Sequence, residues 1–179
     1  KVIMAMTLIT TNTESGDATS SFTASIDSTY KLYIFKFIDI NPATDGAVFL
    51  FNGSIDAGSN YNVTKTTSFF KAYHTEADAT ALSYSTGNDL AQETDFQYVT
   101  TSIGNGGDES AAGTLWLFNP SNTTYVKHFY ARTNVYKDDS SSWDCFVSGY
   151  FNNTNDIDAV QFKMDSGNFD GTIKMYGVG

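Results

Sequence analysis

The chain has 179 residues, 20 acidic against 10 basic, for a formal net charge of −10 at neutral pH. That length suits one domain whose core buries roughly 70% of the unfolded surface without disulfide or metal staples, and a lone cysteine, Cys145, allows no intrachain disulfide. The charge balance excludes the cationic face that a nucleic-acid binder or an anionic membrane surface requires, and no apolar window reaches the ~18 residues of a membrane-spanning helix.

Helical periodicity is nearly absent, and β-branched and aromatic residues recur in short runs punctuated by Gly, Asn and Asp. The opening KVIMAMTLIT, broken at Thr7 and Thr10, reads as a strand or as an extended N-terminal docking arm over residues 1–10 rather than as a signal peptide. Ala18 to Ile26 alternates, with Phe22, Ala24 and Ile26 on one side. Tyr30 to Ile40 is the strongest strand. Leu32, Ile34, Ile38 and Ile40 line one face and Tyr33, Phe35 and Phe37 the other, the pattern of a strand covered on both sides. Asn41-Pro42 and Asp45-Gly46 end it.

Val48 to Phe51, Tyr61 to Thr67 and Phe69 to His74 follow as strands, with a short helical turn expected in Thr75 to Leu82 and irregular chain from Asp89 to Asp95. Phe96 to Ile103, Gly113 to Phe118, Thr123 to Tyr136, Trp143 to Phe151, Ala159 to Met164 and Thr172 to Val178 complete about eleven strands by this pattern. No composition break marks a second domain. The expectation is an all-β protein, a single antiparallel β-sandwich of jelly-roll-like form over residues 1–179.

Chemistry-bearing constellations are sparse. A nucleophilic triad needs a base beside the nucleophile, and only His74 and His128 are available. No GxSxG elbow or phosphate-binding loop occurs, and one Cys with two dispersed His serves zinc poorly. Calcium has better ligands in the acidic turns at Asp108-Glu109, Asp138-Asp139 and Asn152 to Asp158, although none has EF-hand spacing and such residues also form solvated turns. No pair of carboxylates is singled out for glycoside hydrolysis. No enzyme and no obligatory cofactor are expected. Cys145, in SWDCFVSGYF, reads as inert core. Of the many aromatics, Tyr61, Tyr73, Tyr136 and Trp143 fall near strand ends or loops, and they are the candidate glycan or partner contacts.

The segments IDSTYKLYIFKFIDINPATD, LFNPSNTTYVKHF and GYFNNTNDIDAVQFKMDSGNFDGTIKMYG resemble virion structural proteins of tailed phages of marine bacteria, of the cyanophage and pelagiphage type. The likeness runs from about Ser20 to the C-terminus and is marked most by the closing SGNFDGTIKMYG. It implies a component of the particle, assembled in the host cytoplasm, with other virion proteins of capsid or tail as partners. It supplies no catalytic residues. The leading expectation is a capsid decoration (cement) protein, homo-oligomeric and by type a trimer, whose N-terminal arm adds a strand to a neighbour. The alternative is a tail-fibre tip or appendage module that binds host-surface carbohydrate.

Overall fold

The computed structural model describes residues 5–179, and among these the chain forms thirteen strands. In order they are β1 (Met6–Asp17), β2 (Thr19–Phe22), β3 (Leu32–Pro42), β4 (Phe49–Ser54), β5 (Lys65–Thr75), β6 (Thr80–Tyr84) and β7 (Ala91–Glu93). β8 (Gln97–Tyr98), β9 (Ala111–Phe118), β10 (Lys127–Lys137), β11 (Ser141–Phe151), β12 (Ala159–Met164) and β13 (Phe169–Val178) follow. The antiparallel sandwich is present as two unequal sheets. A nine-stranded sheet runs β1-β13-β3-β9-β10-β11-β5-β6, with β7 also paired to β5, and a four-stranded sheet runs β2-β12-β4-β8.

The two strand orders are one order read twice. β1 continues into β2, β13 is preceded by β12, β3 continues into β4, and β9 is preceded by β8. A four-stranded antiparallel ribbon is thus bent double, and this is the feature shared with a jelly roll; nine strands against four is the departure. The bends are tied to one another in the same sequence. Gly16 N donates to Asp170 Oδ1 (2.6 Å) and Asn168 Nδ2 to Gly16 O (2.7 Å). Ala43 N donates to Asn168 O (2.9 Å), Val48 N to Asp165 Oδ1 (2.9 Å), and Asn41 Nδ2 to Glu109 O (2.6 Å). Gly16 and Gly167 turn two of these bends at φ 70° and 73°, a region that costs glycine nothing.

Between the sheets lies a phenylalanine core. Phe162 of β12 packs its ring 5.2–6.3 Å from those of Phe22, Phe35, Phe37, Phe49 and Phe51. Cys145 faces this core, fully buried, and burial pushes its thiol up to about 11, as the inert reading expects.

Six local expectations are corrected. The strands expected over Tyr61 to Thr67 and Phe69 to His74 are a single strand, β5, and the chain from Asp89 to Asp95 is not irregular throughout, since Ala91–Glu93 pairs with β5 as β7. Met6 to Thr10 do not form a free arm, because from Met6 onward this segment is the edge strand of the chain's own large sheet, paired Met6 to Val178 and Leu8 to Tyr176; Lys1 to Met4 lie outside the described residues. The helical turn expected in Thr75 to Leu82 is a hairpin. Thr75 N bonds Ala79 O at 2.9 Å, and Asp78 takes φ 63°. β3 is covered on one face only, and a bulge at Asp39 (φ 53°) turns Ile40 inward while Ile38 stays outside. Phe96 to Ile103 keeps only Gln97–Tyr98 as a strand, with Ile103 bridging to Ala47.

Two lysines are buried at one end of the core, on either side of Phe151 in the register Lys127, Phe151, Lys65. Lys65 Nζ donates to Asp95 O at 2.5 Å and Lys127 Nζ to Asn153 O at 3.2 Å. Burial drives the Lys65 ammonium down to about 7, against the pull of the Asp95 and Glu93 carboxylates.

Phe162→Ala should cost about 3–5 kcal/mol, read as a lowered urea midpoint at unchanged m. Lys65 gives a pH test. Between about pH 7 and 9 the unfolded chain holds a proton on this amine that the folded chain has released, so stability rises with pH. Lys65→Met should remove that slope, at most about 1.4 kcal/mol per pH unit. Parallel slopes in native and variant protein would show that Lys65 stays charged in the fold.

Candidate functional site

The four aromatics singled out from the sequence do not converge. Tyr73 and Trp143 face each other across β5 and β11 with ring centroids 4.7 Å apart. They share the inward side of the large sheet with Cys145 and Val147, and Trp143 packs against the core. The Trp143 ring is further engaged by the Lys71 ammonium 4.8 Å from its centroid, and its Nε1 donates to Ser141 Oγ at 2.6 Å. Tyr136 sits near the same end of the sheet but on the opposite face. There it lines a hollow of about 440 Å³ with His74, Glu76, Asn134 and Ser142. Tyr61 lies far from both in the loop between β4 and β5, its hydroxyl buried without a hydrogen-bond partner and its carbonyl accepting from Asn52 Nδ2 at 2.7 Å.

The acidic turns named for calcium are engaged locally. Glu109 Oε2 accepts from Gly106 N (2.7 Å), Asp138 and Asp139 pair with Lys137, and Asp158 Oδ2 accepts from Ala57 N (2.9 Å). Among the described residues no three His, Cys, Asp or Glu side chains converge as a metal-binding set. His74 Nε2 lies 3.0 Å from Asp78 Oδ1, both well exposed on the β5–β6 hairpin, and His128 lies edge-on to Tyr150.

What the sequence reading missed is the outer face of the nine-stranded sheet, which the small sheet leaves uncovered. On β13, β3 and β1 it is mixed, in the rows Met6–Val178–Leu32, Leu8–Tyr176–Ile34, Thr11–Lys174–Lys36 and Thr13–Thr172–Ile38. Met6, Leu8 and Ile38 are exposed there, Ile34 lies among its neighbours, and Lys36 and Lys174 pair across the strands. On β9, β10, β11 and β5 it is aromatic. Trp116 stacks on Tyr130 at 4.6 Å and Phe146 on Phe70 at 4.6 Å, with the Arg132 guanidinium 4.9 Å from the Phe146 centroid. Arg132 is fixed by two bonds to Asp144, Nε to Oδ1 (3.1 Å) and Nη2 to Oδ2 (2.7 Å). These hydrogen bonds hold the Arg132 pKa above its ordinary value. Period-2 alternation was the available signal, since Trp116, Tyr130 and Phe146 each alternate with a buried neighbour.

A sheet twists by roughly 20–25° per strand, so faces three or four strands apart point some 60–90° away from each other. The two halves join at β3 and β9, where Ile34 pairs with Trp116, as one continuous twisted face. Comparison with protein-family models, with curated proteins and with solved structures finds no match to this chain.

Proposed function

We propose that this chain is a non-enzymatic structural protein of the surface of a tailed-phage particle, a decoration protein seated on the capsid shell. The single observation that carries this reading is the set of aliphatic side chains exposed on the outer face of β1 and β3. Leu8 there is 50% exposed, with exposed Met6 in the next row on the same strand and exposed Ile38 two rows away along β3, beyond Lys36 and Lys174. Exposed apolar side chains gathered on an uncovered sheet face are a surface through which folded proteins associate. Lys36 and Lys174 place two cations within it, on a protein of net charge −10, so a partner with a carboxylate-bearing apolar surface is complementary. The likeness of the SGNFDGTIKMYG ending to virion proteins supports the same reading. A second reading, an appendage module for host-surface carbohydrate, is favoured by the interrupted aromatic row beside Tyr130.

Quantitative mass spectrometry of purified virions against the major capsid protein should give hundreds of copies in a simple ratio to capsid. A handful or a few dozen would place the chain on the tail, and absence would end both readings. Leu8→Asp with Ile38→Asp, both solvent-facing, should fold as the native chain does yet fail to join capsids that lack it. Undiminished attachment would remove this face as the docking surface.

A further inference from the structure

Cross-strand register sets out the aromatic half in rows. One row runs Thr114, Arg132, Phe146, Phe70, and in it the stack is continuous from the guanidinium through both rings. The next row runs Trp116, Tyr130, Ser148, Ser68. Here the stack begins with Trp116 on Tyr130 and stops, because the next two positions carry serines whose hydroxyls meet at 2.9 Å. Beside that gap lies a slot of about 270 Å³, lined by Tyr130, Trp116, Phe146, Phe70, Arg132 and Ser148.

We propose that this slot binds one pyranose unit of a neutral glycan. The apolar face of the sugar ring continues the Trp116–Tyr130 stack, and its hydroxyls meet Ser148, whose hydroxyl is shared with Ser68, and the Nη1 donors of Arg132. Tyr130 is 42% exposed, so its ring retains free surface for a ligand although Trp116 covers part of it. Asp144 takes Nε and Nη2 of Arg132, which neutralises the cation and leaves Nη1 for a ligand. The pair therefore offers no net charge to an acidic sugar, and the chain's net charge of −10 opposes one. An apolar side chain from a partner protein would fit the walls but would shut Ser68 and Ser148 away from water with only each other as partners. A polyhydroxylated ring supplies what those hydroxyls lose. An apolar pocket with a few convergent polar groups is also the usual form of a small-ligand site.

The slot gives the carbohydrate reading its residues, and none of them is among Tyr61, Tyr73, Tyr136 and Trp143. It does not depend on the capsid-docking face. Failure to bind sugar leaves the copy number and the Leu8/Ile38 result untouched, and their failure leaves the slot untouched. The test is ligand-observed saturation-transfer NMR on the whole chain with glucose, galactose, mannose, N-acetylglucosamine and their β-linked disaccharides. At least one should show saturation on its ring C–H protons. That signal should vanish in Ser148→Trp, which fills the slot, and in Tyr130→Ala, which removes its wall, with circular dichroism confirming both folds. Ser68→Ala with Ser148→Ala keeps the slot open and should weaken binding. Absence of saturation from every sugar, or undiminished saturation in Ser148→Trp, overturns the proposal. So does light scattering in which the native chain is oligomeric and Ser148→Trp monomeric, because a second copy would then occupy the slot.

Discussion

The constraint on which the rest of this structure depends is the doubling of one antiparallel ribbon. Because each strand of the small sheet continues a strand of the large one, neighbours in one sheet dictate neighbours in the other. Register errors cannot be local in such a fold. A slip of one residue in β13 against β3 would rotate Ile173 and Met175 out of the core and displace Phe162 through the bend. The hydrogen bonds among the bends fasten the ribbon at its crease. The asparagines and aspartates there, Asn41, Asp165, Asn168 and Asp170, are structural parts of the turns.

The same geometry leaves the large sheet with one packed face and one free face. β-branched and aromatic residues on an uncovered face must find stabilisation within the sheet, and here they find it across strands. Phe70 with Phe146 and Trp116 with Tyr130 remove ring surface from water in pairs, and Arg132 with Asp144 adds a directed bond between the rows. A surface built in this way is rigid before any partner arrives, which reduces the ordering cost of association.

Alternation along Thr123 to Tyr136 and Trp143 to Phe151, together with the turn residues, made the all-β sandwich legible from the residues alone. What the sequence could not show was which of two apolar faces would be covered. In YKLYIFKFIDI both faces read as apolar, and only the pairing of Ile34 between Tyr176 and Trp116 explains a buried residue on the open side. The site was less legible still. Proximity to strand ends drew attention to Tyr73 and Trp143, whose rings are occupied by each other and by Lys71. The slot beside Tyr130 is bordered by Ser148, whose hydroxyl bonds that of Ser68, 80 positions away in sequence. Residues that matter because they are small carry no compositional signal in a chain so rich in serine.

Among the described residues β1 has a single sheet partner, β13, and Met6 pairs with Val178. During synthesis this strand therefore waits, unpaired, until β13 has been made. Late, long-range closure is slow, and an unpaired strand is the usual site of mispairing between nascent chains. The composition of β1 reads as an adaptation to that delay. From Thr10 to Asp17 it runs TTNTESGD, all hydroxyls, amides, carboxylates and a glycine, with register shifts against β13 at Leu8/Thr10 and Glu14/Asp17. Such a segment can remain in water as a solvated strand until its partner is made, which lets a broad, open-edged sheet close without pairing to the edges of its neighbours.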